Sequence, residues 1–178
     1  MPRTFKRNVL PTGASVLGLY LLFNVFYFFN FIPPIPLALK DSGIYHSVTR
    51  LGADYQVTYE PSAWYDVFND YKNTVSWKKG EPIYCFSSVF APTQIDARIY
   101  HEWYLFDEGS GKWVQKDRLG FLISGGRDGG YRGYSMKYGV EPGLWRIDIE
   151  NERGQMLGRV KFDIIETSLP VETKLKTI

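Results

Sequence analysis

The sequence predicts an all-β domain, an antiparallel β-sandwich, preceded by one N-terminal transmembrane helix. Three observations predict it. Between Arg7 and Lys40 lie 32 consecutive uncharged residues. From about residue 43 onward, short alternating apolar runs are separated by clusters of Gly, Pro, Asn and Asp, the spacing of strands and turns. Between those runs no helical pattern is long enough to serve as a crossover, which favours antiparallel neighbours. The 178 residues are 44% hydrophobic and 22% charged, ample for one packed core and unlike a disordered or collagen-like chain.

Taken in order, residues 1–11 form a basic N-terminus with Arg3, Lys6 and Arg7. Thr12 to Ile32 is an uninterrupted apolar run of 21 residues without proline; as a helix it reaches ~31 Å, the hydrocarbon thickness of a bilayer. Pro11 suits its entry, and Pro33, Pro34 and Pro36 lack the amide donors that a continuing helix needs. Aromatic side chains crowd its second half, and Asn24 is a polar exception near mid-helix whose carboxamide hints at association with another helix. A cleaved signal peptide is the rival reading. Its apolar region is usually shorter and ends in small residues, whereas this run exits into Phe29-Asn-Phe-Ile-Pro-Pro34. The segment is apolar all round, unlike a buried amphipathic helix.

Residues 33–42 read as a Pro-rich, extended spacer, and residues 43–167 as the sandwich. Within it, Tyr55, Val57 and Tyr59 share a face; Pro82 to Phe90 and Ala97 to Phe106 are rich in β-branched and aromatic residues. Leu119, Phe121 and Ile123 alternate in the same way, as do Trp145, Ile147 and Ile149 opposite Arg146, Asp148 and Glu150, and then Val160, Phe162 and Ile164. Asn151-Glu-Arg-Gly154 suits a hairpin turn, and only Pro61 to about Lys72 has the spacing of a short helix. Six to eight short strands of this kind fit an immunoglobulin-like sandwich best. The single Cys85 rules out the inter-sheet disulfide common in such domains and reads as a small buried hydrophobe. Residues 168–178 read as a polar C-terminal tail.

Charge narrows the function. The three basic residues before Lys40 account for the excess: residues 40–178 carry the remaining 18 of 21 basic side chains against all 19 acidic ones, a net −1. Basic and acidic groups are interleaved there, unlike the concentrated basic face of a nucleic-acid domain, so no nucleic-acid partner is expected. The flanking charges place the N-terminus in the cytoplasm and the body outside. The expected partners are the lipid bilayer, through residues 12–32, and another membrane protein.

No motif defines a reaction. Gly125 to Gly133 holds five glycines in nine residues with Arg127 and Arg132. It suits either a tight strand connection or an anion site, but carries neither nucleotide-binding signature. His101-Glu102-Trp103 in a strand sends His101 and Trp103 to one face and Glu102 to the other. His101 is then a structural histidine beside a core Trp, or a proton shuttle or metal ligand. His46 is the only other histidine, and no metal-ligand spacing exists, so neither a metal nor a cofactor is expected. Asp107-Glu108 beside Gly109-Ser-Gly111 reads as an acidic turn. Tyr131, Tyr134 and Trp113 are candidates for a sugar-stacking platform, although aromatic-rich sandwiches also bury such residues.

Taken together, Ile32-Pro-Pro-Ile-Pro-Leu37, Gly43-Ile-Tyr-His46, His101-Glu-Trp103, Gly125-Gly-Arg127, Gly129-Gly-Tyr-Arg-Gly133, Pro142-Gly-Leu-Trp-Arg146, Gly154-Gln-x-Leu-Gly158 and Phe162 resemble the bacterial domain of unknown function 2914. The resemblance runs from the helix to about Ile165. It implies a bacterial envelope protein whose domain follows one or more membrane helices, and it implies no activity.

The sequence therefore reads as an inner-membrane protein that presents a periplasmic β-sandwich as a binding or assembly module rather than as a catalyst. The alternative is envelope-glycan binding or hydrolysis in a cleft near His101 and the Gly125–Gly133 loop, with His46, His101, Glu102, Arg127 and Arg132 as its ligand-binding residues.

Overall fold

A computed structural model describes residues 4–29, 37–52, 54–61, 74–91, 95–125 and 130–178. The short helix expected near 61–72 falls almost entirely outside the described residues, as do Arg127, most of the Pro-rich spacer and the last residues of the expected span. The chain divides into two compact units, Met1–Pro36 and Leu37–Ile178.

The first unit is built on helix α1, Thr4–Phe28. It starts earlier than the entry expected at Pro11, which lies inside it. A proline fixes φ near the helical value and removes only one N–H donor, so the turns before it stay helical. Ser15 Oγ donates to the Pro11 carbonyl one turn back, at 2.9 Å. Large apolar side chains point outward on every side, from Val16 at 64% exposure to Phe28 at 77%. No residue of Pro11–Phe28 is buried.

The second unit is all-β. Its strands are β1 (Ala38–Tyr45), β2 (Ser47–Leu51), β3 (Asp54–Tyr59), β4 (Thr74–Trp77), β5 (Ile83–Phe90), β6 (Ile95–Asp107), β7 (Lys112–Gly125), β8 (Tyr131–Lys137), β9 (Gly143–Asn151), β10 (Met156–Glu166) and β11 (Lys174–Thr177). They form a three-stranded sheet β1-β5-β8, a five-stranded sheet β4-β10-β9-β6-β7 and a small sheet β11-β3-β2. All pairings are antiparallel except that of β10 with β4. The long β6–β7 hairpin turns through Gly111, at φ 66, whose N–H reaches the Asp107 carbonyl at 2.8 Å. The Asn151–Gly154 turn forms as expected, with Gly154 at φ 73, a conformation glycine adopts without steric cost.

The main core lies between the three- and five-stranded sheets. Ile83, Cys85 and Val89 of β5 face Ile99 and Trp103 of β6, Trp145, Ile147 and Ile149 of β9, and Phe162 and Ile164 of β10. Trp103 meets Trp145 and Phe162 edge to face, each at 6.2 Å between ring centres. Each indole N–H in this layer has an acceptor: Glu81 O for Trp77 at 2.7 Å, Glu141 O for Trp145 at 2.8 Å, and Ser135 Oγ for Trp103 at 3.2 Å. None of these three indoles is therefore stranded in an apolar setting, whereas the buried Tyr131 hydroxyl in the same core has no hydrogen-bond partner. The two sheets approach closely at Gly133 of β8, where a Cβ would collide with the Phe121 ring of β7, and at Gly158 of β10, where it would collide with Leu39 of β1.

A second, smaller core lies on the far side of β5, where Phe86 packs with Val48, Tyr55 and Val57. Strand β5 is thus covered on both faces, and five consecutive residues, Cys85 to Val89, are buried. The small sheet that covers it includes β11, in the segment expected to be a polar tail. β11 joins the edge of β3 through main-chain pairing, Lys174 opposite Tyr59 and Lys176 opposite Val57, while all four of its side chains remain exposed. An edge strand can add by backbone hydrogen bonds alone, so a polar sequence suffices.

Candidate functional site

The residues singled out by sequence fall into separate places. His101 is wholly buried between the two large sheets. Its Nε2 is 2.8 Å from Ser87 Oγ on β5 and its Nδ1 is 2.8 Å from Ser135 Oγ on β8, so one imidazole, on β6, bridges all three strands across the sandwich. Phe121 closes one side, 5.3 Å away edge to face. Burial lowers the His101 pKa from 6.5 to about 4, because a charged imidazole there would lose its hydration. The ring is therefore neutral at neutral pH, with one nitrogen donating and the other accepting. A sealed, neutral histidine holds sheets together; it exchanges no proton with a solvent-borne substrate. Cys85 is equally sealed, and desolvation pushes its thiol far up from the ordinary range.

Glu102 points the opposite way, onto the outer face of the five-stranded sheet. There Arg159 (β10), Asp148 (β9), Glu102 (β6) and Arg118 (β7) occupy one cross-strand row. Arg159 grips Asp148 with two hydrogen bonds, 2.6 and 2.9 Å, and Arg118 Nε donates to Glu102 at 2.8 Å. Arg146 also meets Asp148, at 3.3 Å. The guanidinium groups stack on aromatic rings: Arg118 lies 3.6 Å from the Tyr100 centroid, and Arg146 lies 4.5 and 4.8 Å from those of Tyr104 and Trp113. Tyr104 donates its hydroxyl to Glu102 at 2.6 Å. That bond, with smaller contributions from burial and nearby carboxylates, raises its pKa to about 12. Glu150 beside this row is shifted upward by burial and by Glu102 and Asp148. Interleaved cations, carboxylates and rings hold one another in place, which makes this face stiff.

The remaining candidates sit elsewhere. His46 pairs with Glu60 at 2.8 Å, and Glu60 in turn accepts from the Ser76 N–H at 2.6 Å and from Ser76 Oγ at 2.9 Å, pinning the β1–β2 corner and the end of β3 to β4. Arg132 donates to Asp54 at 3.1 Å and to the Ile178 carbonyl at 3.0 Å, clamping the small sheet to β8. The aromatic candidates do not form one platform either. Tyr131 is buried at 8% exposure, Tyr134 lies on the three-stranded sheet at 39%, and Trp113 lies beneath Arg146 on the five-stranded one. His101, Glu102 and Arg132 therefore do not converge in a cleft, because alternate residues of a strand face opposite sides of its sheet. Among the described residues no group of three His, Cys, Asp or Glu side chains is placed to hold a metal ion.

Alternation along β6 sets Tyr100 and Tyr104 on the face of Glu102, but nothing in the sequence pointed to Arg118 or Arg159. The alternation of Arg146, Asp148 and Glu150 opposite the core was the visible signal; the register that brings β10 and β7 side chains beside them was not.

Fold and site together define a β-sandwich domain that follows one long apolar helix. Residues 96–164, from β6 to β10, match the model of the family described as "Protein of unknown function (DUF2914)". No curated protein matches. Solved structures that resemble the chain include an immunoglobulin-like protein of Pseudomonas aeruginosa, 13% identical, with a TM-score of 0.38 over 73% of this chain and 97% of that one. A β-glucosidase of Listeria innocua is 10% identical, with a TM-score of 0.39 over 75% of this chain and 16% of that one. An alkylpurine DNA glycosylase of Pseudomonas fluorescens is 12% identical, with a TM-score of 0.35 over 52% of this chain and 27% of that one. The chain thus spans only a small part of the length of the two enzymes, and at these scores none of the likenesses carries an argument about function.

Proposed function

We propose that this chain is a membrane-tethered binding or assembly module of the bacterial envelope, spanning the inner membrane once and holding its β-sandwich on the periplasmic side. The observation that carries the reading is α1. Its apolar side chains radiate in all directions with none of Pro11–Phe28 buried, a surface that lipid solvates and water does not. Arg3, Lys6 and Arg7, on the N-terminal side of the apolar stretch, favour a cytoplasmic N-terminus. The head supports the non-catalytic part of the reading: His101 is sealed, and Arg159, Asp148, Glu102 and Arg118 of its outer face are committed to one another, as suits a rigid scaffold.

The test is fractionation and protease mapping of the full chain in a Gram-negative host. The reading expects the intact chain in the membrane pellet after alkaline carbonate, with the sandwich digested only once the outer membrane is opened. Recovery of unprocessed chain in the aqueous fraction overturns the anchor. A head protected from protease until the inner membrane is broken overturns the orientation.

A further inference from the structure

Asn24 lies within the unburied stretch of α1. Its Nδ2 donates to the Tyr20 carbonyl one turn back, at 2.8 Å. A carboxamide has a second N–H and an acceptor oxygen, and among the described residues no hydrogen bond reaches either of them. In hydrocarbon, with no water to supply a partner, an unmade hydrogen bond is costly. Gly13 lies eleven residues earlier, three turns along the same stripe, with Leu17 and Tyr20 between them at 58% and 64% exposure. A Cβ at Gly13 would meet nothing within 4 Å in the single chain, and glycine lets a second backbone approach closely there.

We infer that two copies of this chain associate side by side through the α1 face that carries Gly13 and Asn24, their Asn24 carboxamides hydrogen-bonding to each other. The inference rests on the membrane-spanning reading above. The second copy is the occupant that the chemistry selects. Copies inserted with the same basic flank inward are parallel, so Asn24 of each lies at the same depth. A two-fold axis along the membrane normal then sets each free donor against the other's free acceptor. An unrelated helix would need a polar group at that depth by coincidence, and an antiparallel copy would set the two Asn24 side chains at different depths.

The experiment uses the full chain, labelled at the N-terminus with donor or acceptor dye and reconstituted into phosphatidylethanolamine–phosphatidylglycerol vesicles, with carbonate-resistant co-sedimentation measured on every sample. Energy transfer that falls on dilution with lipid is expected for the wild type. Asn24→Leu should still insert but dissociate about 5- to 30-fold more readily, equivalent to about 1 to 2 kcal/mol for helix–helix hydrogen bonding in lipid. Asn24→Gln, which keeps donor and acceptor, should restore association. Inserted chains that show equal transfer in wild type and Asn24→Leu overturn the pairing and leave the anchor standing. So does a monomeric wild type whose photocrosslinker at position 24 captures a different protein in native membranes. Chains that fail to co-sediment overturn the anchor and the pairing together.

Discussion

Lowering the pH from 7 to 4 should destabilise the sandwich through His101 in particular. The residue is fully buried and held by Ser87 and Ser135, and burial lowers its pKa from 6.5 to about 4. Between those two values the unfolded chain binds a proton that the folded chain refuses. The stabilisation is therefore complete above pH 6.5, declines as the pH falls, and is lost by about pH 4. At about 1.36 kcal/mol per unit, the gap corresponds to roughly 3 kcal/mol, a large part of the 5–15 kcal/mol typical of a domain. Urea unfolding of the detergent-solubilised chain, followed by tryptophan fluorescence, measures it. Trp77, Trp103 and Trp145 all lie in the main core and report on the sandwich rather than on α1. Other groups titrate in the same range, so the informative quantity is the difference between wild type and His101→Gln at each pH. That difference should shrink by roughly 3 kcal/mol from pH 7 to pH 4. A difference constant across the range would refute the argument, since it would mean that His101 ionises equally well folded and unfolded.

Three further outcomes follow from the packing. Gly133→Ala should destabilise by about 1 to 3 kcal/mol, because the added methyl collides with the Phe121 ring across the sandwich; an unchanged urea midpoint would show that β7 and β8 yield freely. Trp145→Ala removes a side chain 1% exposed, in contact with Trp103, and should cost about 3 to 5 kcal/mol; a thermal melt that does not move would refute its place in the core. Cys85 is sealed and its thiol pKa is raised by burial, so it should react with a thiol reagent at neutral pH only after denaturant unfolds the domain. Rapid modification of the native chain would contradict that.

The outer-face lattice explains why the five-stranded sheet tolerates so many charges beside its core. Asp148 is only 3% exposed, a burial that would be costly for a lone carboxylate. Arg159 meets it with two parallel hydrogen bonds and Arg146 approaches from its own strand. Removing one partner would strand the other charge, and that asymmetry makes the lattice a device for holding strand register.

What was legible in the sequence was whatever depends on local period and composition. The apolar stretch after Arg7, the turns at Asp107–Gly111 and Asn151–Gly154, and the inward sides of β3, β6, β7, β9 and β10 all follow from neighbours a few residues apart, because strand faces alternate and turns need particular residues. The opposite facings of His101 and Glu102 were readable for the same reason. Tertiary structure alone decided the rest: that Ser87 and Ser135 would close on His101, that Arg132 would clamp Asp54 and Ile178, that polar β11 would join β3, and that Arg159 and Arg118 would flank one acidic row. Each of these pairs residues distant in sequence. Which strands become neighbours, and in what register, is set by the summed burial of the whole core, and no short window of sequence contains that sum.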